Sequence, residues 1–554
     1  MADAAYDVVI IGGGHNGLSL ALYLLNSGMT VGVFEEKNEI GGGCDTMELA
    51  APGFWGNLHS WGHMHIMGAE ENFPAYHDFE IEKKYGVRYV TTAGPSGTMG
   101  AVFPDETCVT AYDPTDPEGA IKTYRELSRF SERDAETLVK LHTFVHGPEK
   151  ELLLKFLYSP PVPLGQRTAL QDFAQAIGLS EMDYHYYMSM SPLQILDELL
   201  ESKHLKCSMI NAIWGIAFPP DAFGTGFLSL CMHLIMEPTR KWHCVGGSHN
   251  LAHGMHRALH DLGGKSFTKH EVEKVIIENG TAKGVRLVNG TEIEARKAVV
   301  SAVDAAQTML RFIGREHLDP RTVRRIENLR YGYEALVWPQ IALHEPPKYN
   351  AASFNPDIAD AAVVTLGPPD ADPYAFYRAF CELEQGRFPE GWWPMVNWVD
   401  SLYDPTQAPK GKYFSSGQIY APRASAFSEK EWLEWKRKGP AEWMKRWQQY
   451  ASNMTMDNVI AFDFFTPWDT AQRLKSMREG GWILAGLVPS QIYRFRPIPE
   501  LSDYRTPIKN LYMCANCMPT VPTGVTGIPG YCCYKVMAED YGLEKIWEKK
   551  GRSY

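Results

Sequence analysis

The sequence predicts an α/β fold in which one nucleotide-type domain is assembled from three segments and carries an inserted α+β substrate domain. Three observations predict it. A strand, a glycine-rich turn and a helix open the chain between Asp7 and Gly42. An alternating, glycine-punctuated pattern returns at Val245, and a strand running into glycines and a helix closes the chain from Tyr504 to Tyr534. The expected division is 1–75, 237–320 and 479–554 for the nucleotide-type domain, with 76–236 and 321–478 forming the substrate or cap domain.

In the first segment, Val8 to Ile11 is an apolar run suited to a strand buried on both faces. Gly12, Gly14 and Gly17 supply G-x-G-x-x-G where that strand hands over to a helix. The first glycine permits the tight turn, the second lets backbone approach a pyrophosphate, and the third lets helix and strand pack closely. The helix, roughly Leu18 to Asn26, directs its amino-terminal N–H groups at the phosphates, and Gly28 stops it. Met29 to Phe34 is the second strand, ending at Glu35, about 20 residues after the glycines, where a carboxylate accepts hydrogen bonds from a ribose. Strand, turn, helix and acid together define a Rossmann-type dinucleotide site.

The turn Pro52-Gly53-Phe54 follows, then Asn57 to Met67 with His59, His63 and His65. These histidines lack an obvious carboxylate or cysteine to complete a metal site, so structural hydrogen bonding or proton transfer beside a cofactor are the readings retained. Asp116 to Phe144 and Thr168 to Ile177 read as helices, the second stopped by Gly178, with breaks at Pro160 to Pro163. The longest apolar region, Asn211 to Met236, is interrupted by Pro219, Pro220 and Asp221, and its remainder from Phe227 is too short to span a bilayer. It reads as a buried helix, or else as a cavity wall or membrane-facing surface.

Val245 to Phe267 reads as a helix with Leu251, Met255, Ala258 and Leu262 on one face. A strand at Val272, hairpin turns at Asn279-Gly280 and Asn289-Gly290, and a strand Ala298 to Ala302 follow. Arg321 to about Arg478 is rich in tryptophan, including Trp392, Trp393, Trp398, Trp432, Trp435, Trp443 and Trp447, which suits a core or, alternatively, a large apolar pocket. Leu511 to Cys514 is the last strand; Gly524, Gly527 and Gly530 lead into a helix, Tyr531 to Glu539, another place where backbone amides can meet a ligand.

Over 554 residues the composition is that of a globular chain, 45% apolar and 22% charged. A net charge of -12 argues against a nucleic-acid partner. The amino terminus lacks the basic and apolar regions of a signal peptide. Ten cysteines without framework spacing point to a reducing, cytoplasmic compartment, with peripheral membrane association expected if the substrate is a lipid. Cys514 and Cys517 form a C-x-x-C read as buried small residues or, alternatively, a redox or metal pair. Three Asn-x-Ser/Thr sites, Asn279 and Asn453 among them, go unread in such a compartment.

The three nucleotide-type pieces resemble the FAD-dependent phytoene desaturase-like flavoproteins of the amine oxidase and glutathione-reductase-type superfamily, most nearly the group that includes pyridine nucleotide-disulfide oxidoreductase domain-containing protein 2. The resemblance rests on GGGHNGL (Gly12 to Leu18), Glu35 with IGG (Ile40 to Gly42), Thr46 to Phe54, Gly246-Gly247, VVSAVD (Val299 to Asp304), DPTQAP (Asp404 to Pro409), YRTPI (Tyr504 to Ile508) and the terminal glycines. It implies FAD as cofactor. Gly12, Gly14 and Gly17 would hold the pyrophosphate, Glu35 the ribose and Val272 the adenine through its backbone, while the segment after Leu511 reaches the flavin. Asn16, Gly42, Asn516 and Gly527 complete the expected cofactor contacts, and no metal is expected. Two departures bear on the flavin side: Gly43-Cys44 stands where an arginine is often found, and Ala515 to Pro519 replaces a glycine-histidine-proline pattern.

Only one dinucleotide fingerprint is present, whereas a disulfide reductase needs a second one and a reactive cysteine pair near the first helix. A resident flavin handling hydride itself is therefore expected. The leading expectation is desaturation, saturation or isomerisation of a C–C bond in a bulky, mostly apolar substrate, with His59 as the catalytic proton-moving group. An amine oxidase-like enzyme and a non-catalytic lipid- or partner-binding protein are the alternatives. Oligomeric state is left open.

Overall fold

The computed structural model describes residues 4–60, 62–63, 73–90, 99–113, 116–235, 243–361, 363–520 and 524–554. His65 of the histidine-rich segment lies outside them. The chain opens with strand β1 (Ala4–Ile11), helix α1 (His15–Asn26) and strand β2 (Val31–Phe34). It leaves this unit for strands β3 (Met99–Val102) and β4 (Cys108–Ala111), then helices α2 (Pro117–Ser128), α3 (Glu132–His146), α4 (Lys203–Gly215) and α5 (Gly226–Ile235). It returns through α6 (His249–Asp261) and strands β5 (Lys265–Phe267), β6 (Val272–Glu278), β7 (Thr281–Leu287) and β8 (Glu292–Ser301). A second excursion supplies β9 (Leu336–Leu343), β10 (Val363–Leu366), β11 (Met395–Trp398), β12 (Tyr413–Tyr420), helix α7 (Glu429–Trp447) and β13 (Val459–Phe465). Strand β14 (Leu511–Met513) and helix α8 (Ile528–Tyr541) close the fold.

The first seven-stranded sheet runs β6-β7-β8-β1-β2-β5, with β14 beside β8. Strand β1 lies parallel to both β8 and β2, and Val8, Val9, Ile10, Val299 and Val300 are fully buried, as central parallel strands covered on both faces require. Because β8 is long, its first residues pair with β7 while Val299–Ser301 pair with Leu511–Met513 of the distant tail. All three nucleotide-type segments thus share one sheet.

The second seven-stranded sheet runs β13-β9-β12-β11-β10-β3-β4. Its β3–β10 pairing, Met99 opposite Val363, joins the two excursions. Two neighbouring cross-strand rows on one face read Trp338-Gln418-Val396-Thr365 and Ser416-Trp398-Val363-Met99. Alternation along each strand aims both rows to the same side, towards helices α2 to α5.

Several elements depart from the sequence expectation. Helix α1 begins at His15, directly off the glycine turn, rather than at Leu18. The Asp116 to Phe144 stretch is two helices, because Ser131 caps a fresh start by accepting from the Asp134 N–H. The Val245 to Phe267 helix stops at Asp261; Gly263 takes a left-handed φ of 85°, Leu262 is 38% exposed, and Lys265–Phe267 pairs with β2 as a strand. The closing helix begins at Ile528, three residues before Tyr531. Every residue of α5 is buried, and no helix among the described residues is long and apolar enough to cross a membrane.

Candidate functional site

A single cavity of about 750 Å³ runs from the opening glycine turn, past His59, into the space between the second sheet and helices α2 to α5. At its first end the wall is Gly12, Gly14, Asn16, Glu35, Gly42, Val272 and Asn516, with Gly524 and Val525 from the tail. Glu35 is fixed there by two backbone donors: Gly13 N–H to Oε2 at 2.7 Å and Lys37 N–H to Oε1 at 3.0 Å. Asn16 Nδ2 donates to Asn516 Oδ1 at 2.9 Å, and Asn516 Nδ2 donates to the Gly524 carbonyl at 3.2 Å. This amide chain ties the start of the chain to its end.

Two expected contacts sit elsewhere. Gly17 is off the cavity wall; a Cβ there would lie 2.6 Å from the Gly12 carbonyl oxygen, so its role is close packing of turn and helix. Gly527, in left-handed backbone at φ 64°, packs against the Phe73 ring and precedes α8, while Gly524 and Val525 face the cavity.

The residues at this end fit a dinucleotide. Helix α1 has no side-chain cap and no acidic residue in its first turn, so its amino-terminal N–H groups are available to an anion. The buried atoms His15 Nε2, Asn16 Oδ1 and Lys37 Nζ have no hydrogen-bond partner within the protein, and all three residues line the cavity. Burial holds the His15 imidazole down to about 4, hence neutral near pH 7. The wall is braced from behind by the buried guanidinium of Arg496, whose donors reach the carbonyls of Ile483, Ala485, Gln491, Asn516 and Met518 at 2.9–3.2 Å.

His59 lies at the middle of the cavity with its side chain fully buried. Its Nδ1 is 3.4 Å from Asp45 Oδ2 and its Nε2 is 3.3 Å from Thr470 Oγ1. Arg473 Nε donates to the same Asp45 oxygen at 3.1 Å. Burial pushes the Asp45 carboxyl up, but His59 and Arg473 outweigh it and hold the group below its ordinary range. An ionised Asp45 fixes the His59 tautomer with Nδ1–H donating and Nε2 able to take a proton. Sequence reasoning singled out His59, which lines the cavity, but not Asp45, Thr470 or Arg473. The last two come from the second excursion, and no local pattern links them to the first segment.

His63 is buried away from this network, with Nδ1 2.6 Å from Tyr89 Oη and Nε2 2.9 Å from Ser60 Oγ. Among the described residues no cluster of three or more His, Cys, Asp or Glu could hold a metal. All ten cysteines are unpaired, and burial raises the thiols of both Cys514 and Cys517, the latter to about 12. The tryptophans divide: Trp432, Trp443 and Trp447 are core, while Trp398, with Trp338 and Trp482, lines the cavity. Beyond His59 the chamber has Trp338, Val396, Trp398 and Thr365 as floor and Leu127, Leu138, Met209 and Leu234 among the residues of its roof. The described residues lining that half include no Asp, Glu, Lys or Arg.

Residues 10–80 match the family described as NAD(P)-binding Rossmann-like domain. A limonene dehydrogenase component from Castellaniella defragrans is 26% identical, the match covering 98% of this chain and 96% of that protein. Pyridine nucleotide-disulfide oxidoreductase domain-containing protein 2 of Rattus norvegicus is 27% identical over 92% of this chain and 90% of its own. Among solved structures, a putrescine oxidase triple mutant aligns with a TM-score of 0.61 at 14% identity, covering 97% of this chain and 99% of that one. The chain fits the FAD-dependent oxidoreductase superfamily. Cyclohexylamine oxidase from Brevibacterium oxydans shares the superfamily fold, with a TM-score of 0.56 at 14% identity and 97% of this chain covered.

Proposed function

We propose that the protein binds FAD and transfers hydride to or from a C–C bond of a bulky, mostly apolar substrate, by desaturation, saturation or isomerisation. The observation that carries this reading is the continuity of one cavity from a dinucleotide-type end to an apolar chamber, with His59 between them. Gly12, Gly14, Asn16, Glu35, Gly42, Val272 and Asn516 would hold the cofactor, with Gly17 and Gly527 acting through packing. Bound FAD would supply the hydride acceptor or donor at its N5 atom. His59 would move the accompanying proton through Nε2, held in orientation by Asp45, itself held by Arg473. The chamber walls exclude water and align the substrate by shape.

The relative named for limonene supports an apolar substrate. The solved neighbours named as amine oxidases keep an amine substrate as the second reading, but a chamber with no Asp or Glu among its described lining residues favours a neutral one over an ammonium. Buried, unpaired thiols fit a cytoplasmic setting. Purified protein loaded with FAD and mixed anaerobically with a panel of apolar alkenes should lose its visible flavin band. His59→Ala should slow that loss by about 100-fold or more while FAD affinity changes little. Wild-type rates in the variant would remove His59 from the chemistry, and ammonia with peroxide from an amine would favour the second reading.

A further inference from the structure

Helix α4 forms part of the chamber roof, and Leu205, Ser208, Asn211 and Ala212 on its inner face line the cavity. Asn211 is the anomaly. It is 3% exposed, and neither its amide nitrogen nor its amide oxygen has a hydrogen-bond partner. A buried polar group in this state carries an uncompensated desolvation penalty, and asparagine is also a poor residue for a helix interior. A leucine would fill the same place without that penalty. The unpartnered cofactor-end atoms of His15, Asn16 and Lys37 belong to the dinucleotide end, so they do not account for this one.

We infer that Asn211 recognises a neutral oxygen function on an otherwise apolar substrate, a hydroxyl suiting it best. An alcohol O–H both donates and accepts, so it can satisfy both amide atoms, whereas a carbonyl satisfies only the nitrogen. A charged group is disfavoured because the described chamber lining holds no Asp, Glu, Lys or Arg to pair with it. This inference rests on the reading of the chamber as a substrate site and narrows its substrate class from any apolar molecule to one bearing a neutral oxygen. Asn211 acts in specificity, away from the proton transfer at His59.

The test uses two matched pairs, limonene with perillyl alcohol and dodecane with 1-dodecanol. They are titrated into FAD-loaded protein and followed by tryptophan fluorescence, with flavin content read separately from the visible spectrum. In an apolar chamber without a polar hook, adding a hydroxyl weakens binding. Wild type should instead bind each alcohol at least about tenfold tighter than its parent hydrocarbon. In Asn211→Leu, and in Asn211→Ala if the leucine variant misfolds, that preference should disappear or reverse. Equal or tighter hydrocarbon binding by wild type, binding of neither member of either pair, or an alcohol preference surviving in the folded variant would each overturn the inference. A protein that refuses FAD but shows the alcohol preference would sink the cofactor reading and leave Asn211 standing.

Discussion

His15, on the cavity wall, and His63, buried behind it, show how burial sets a single side chain's chemistry. Burial drives the imidazoles down, His15 to about 4 and His63 to about 3, the latter further lowered by neighbouring His15 and His243. The folded state keeps both neutral, whereas the unfolded chain protonates them below the ordinary value of 6.5. Unfolded protein therefore binds more protons in that window, and stability falls as pH drops from 6.5 towards the folded values. The loss is about 1.4 kcal/mol per histidine for each unit below 6.5. Cofactor-free protein should accordingly melt at lower temperature at pH 5 than at pH 7, and His63→Gln should flatten that slope even if it lowers the melting temperature throughout. A slope unchanged by the substitution would show that the acid sensitivity comes from elsewhere. At this scale the sequence marks Glu35 and the opening glycines through spacing, and singles out His59 only through the place its segment is expected to take beside the cofactor. It cannot mark Asn211, because an asparagine without partners looks the same in one dimension as one that is satisfied.

Elements were legible where the signal is local. Asn279-Gly280 turns the hairpin at a left-handed pair, and Thr168 caps its helix through a reciprocal bond with Gln171, both readable from a few neighbouring residues. The helix expected to reach Phe267 failed for a different reason: the residues after Asp261 are claimed by β2, a tertiary partner that overrides the periodic pattern. Packing between elements is likewise invisible in sequence, and glycines show its size. Gly530 on α8 faces α1 so closely that a Cβ would sit 2.4 Å from the Asn16 carbonyl oxygen, whereas a Cβ on Gly215 of α4 would meet nothing within 4 Å. Alanine is the better helix former by about 1 kcal/mol in either helix. At Gly530 the clash wins, because backbone cannot give way cheaply; overpacking there should cost about 1–3 kcal/mol. Gly530→Ala should thus lower the melting temperature and, by displacing Asn16 from Asn516, weaken FAD binding, while Gly215→Ala should be neutral or stabilising. Thermal melts with FAD titrations on both variants decide this, and an unaffected Gly530→Ala would mean that the two helices separate without consequence.

Across the whole molecule, the first sheet could be anticipated because each of its segments carries its own glycine punctuation. The second could not. Strands such as Val363–Leu366 and Met395–Trp398 are short runs buried on both faces, and nothing in a buried run names its partner. That limit has a physical counterpart in how the fold must respond to a ligand. The cavity's dinucleotide end is shared by the opening turn, by Val272 at the start of a middle strand, and by Asn516, Gly524 and Val525 of the tail. Their mutual contacts include the Asn16–Asn516 bond and the β8–β14 pairing. A ligand gripping all three stabilises them as one unit, by about 2.7 kcal/mol at a free concentration a hundred times its dissociation constant. Hydrogen exchange on cofactor-free protein should therefore slow together, on adding FAD, in the peptides carrying Gly12 to Gly17, Val272 and Gly524 to Ile528, whereas the Trp432 to Trp447 core helix should change little. Protection confined to the opening turn and helix would mean that the cofactor is held by the first segment alone, and that the tail closes the sheet without touching it.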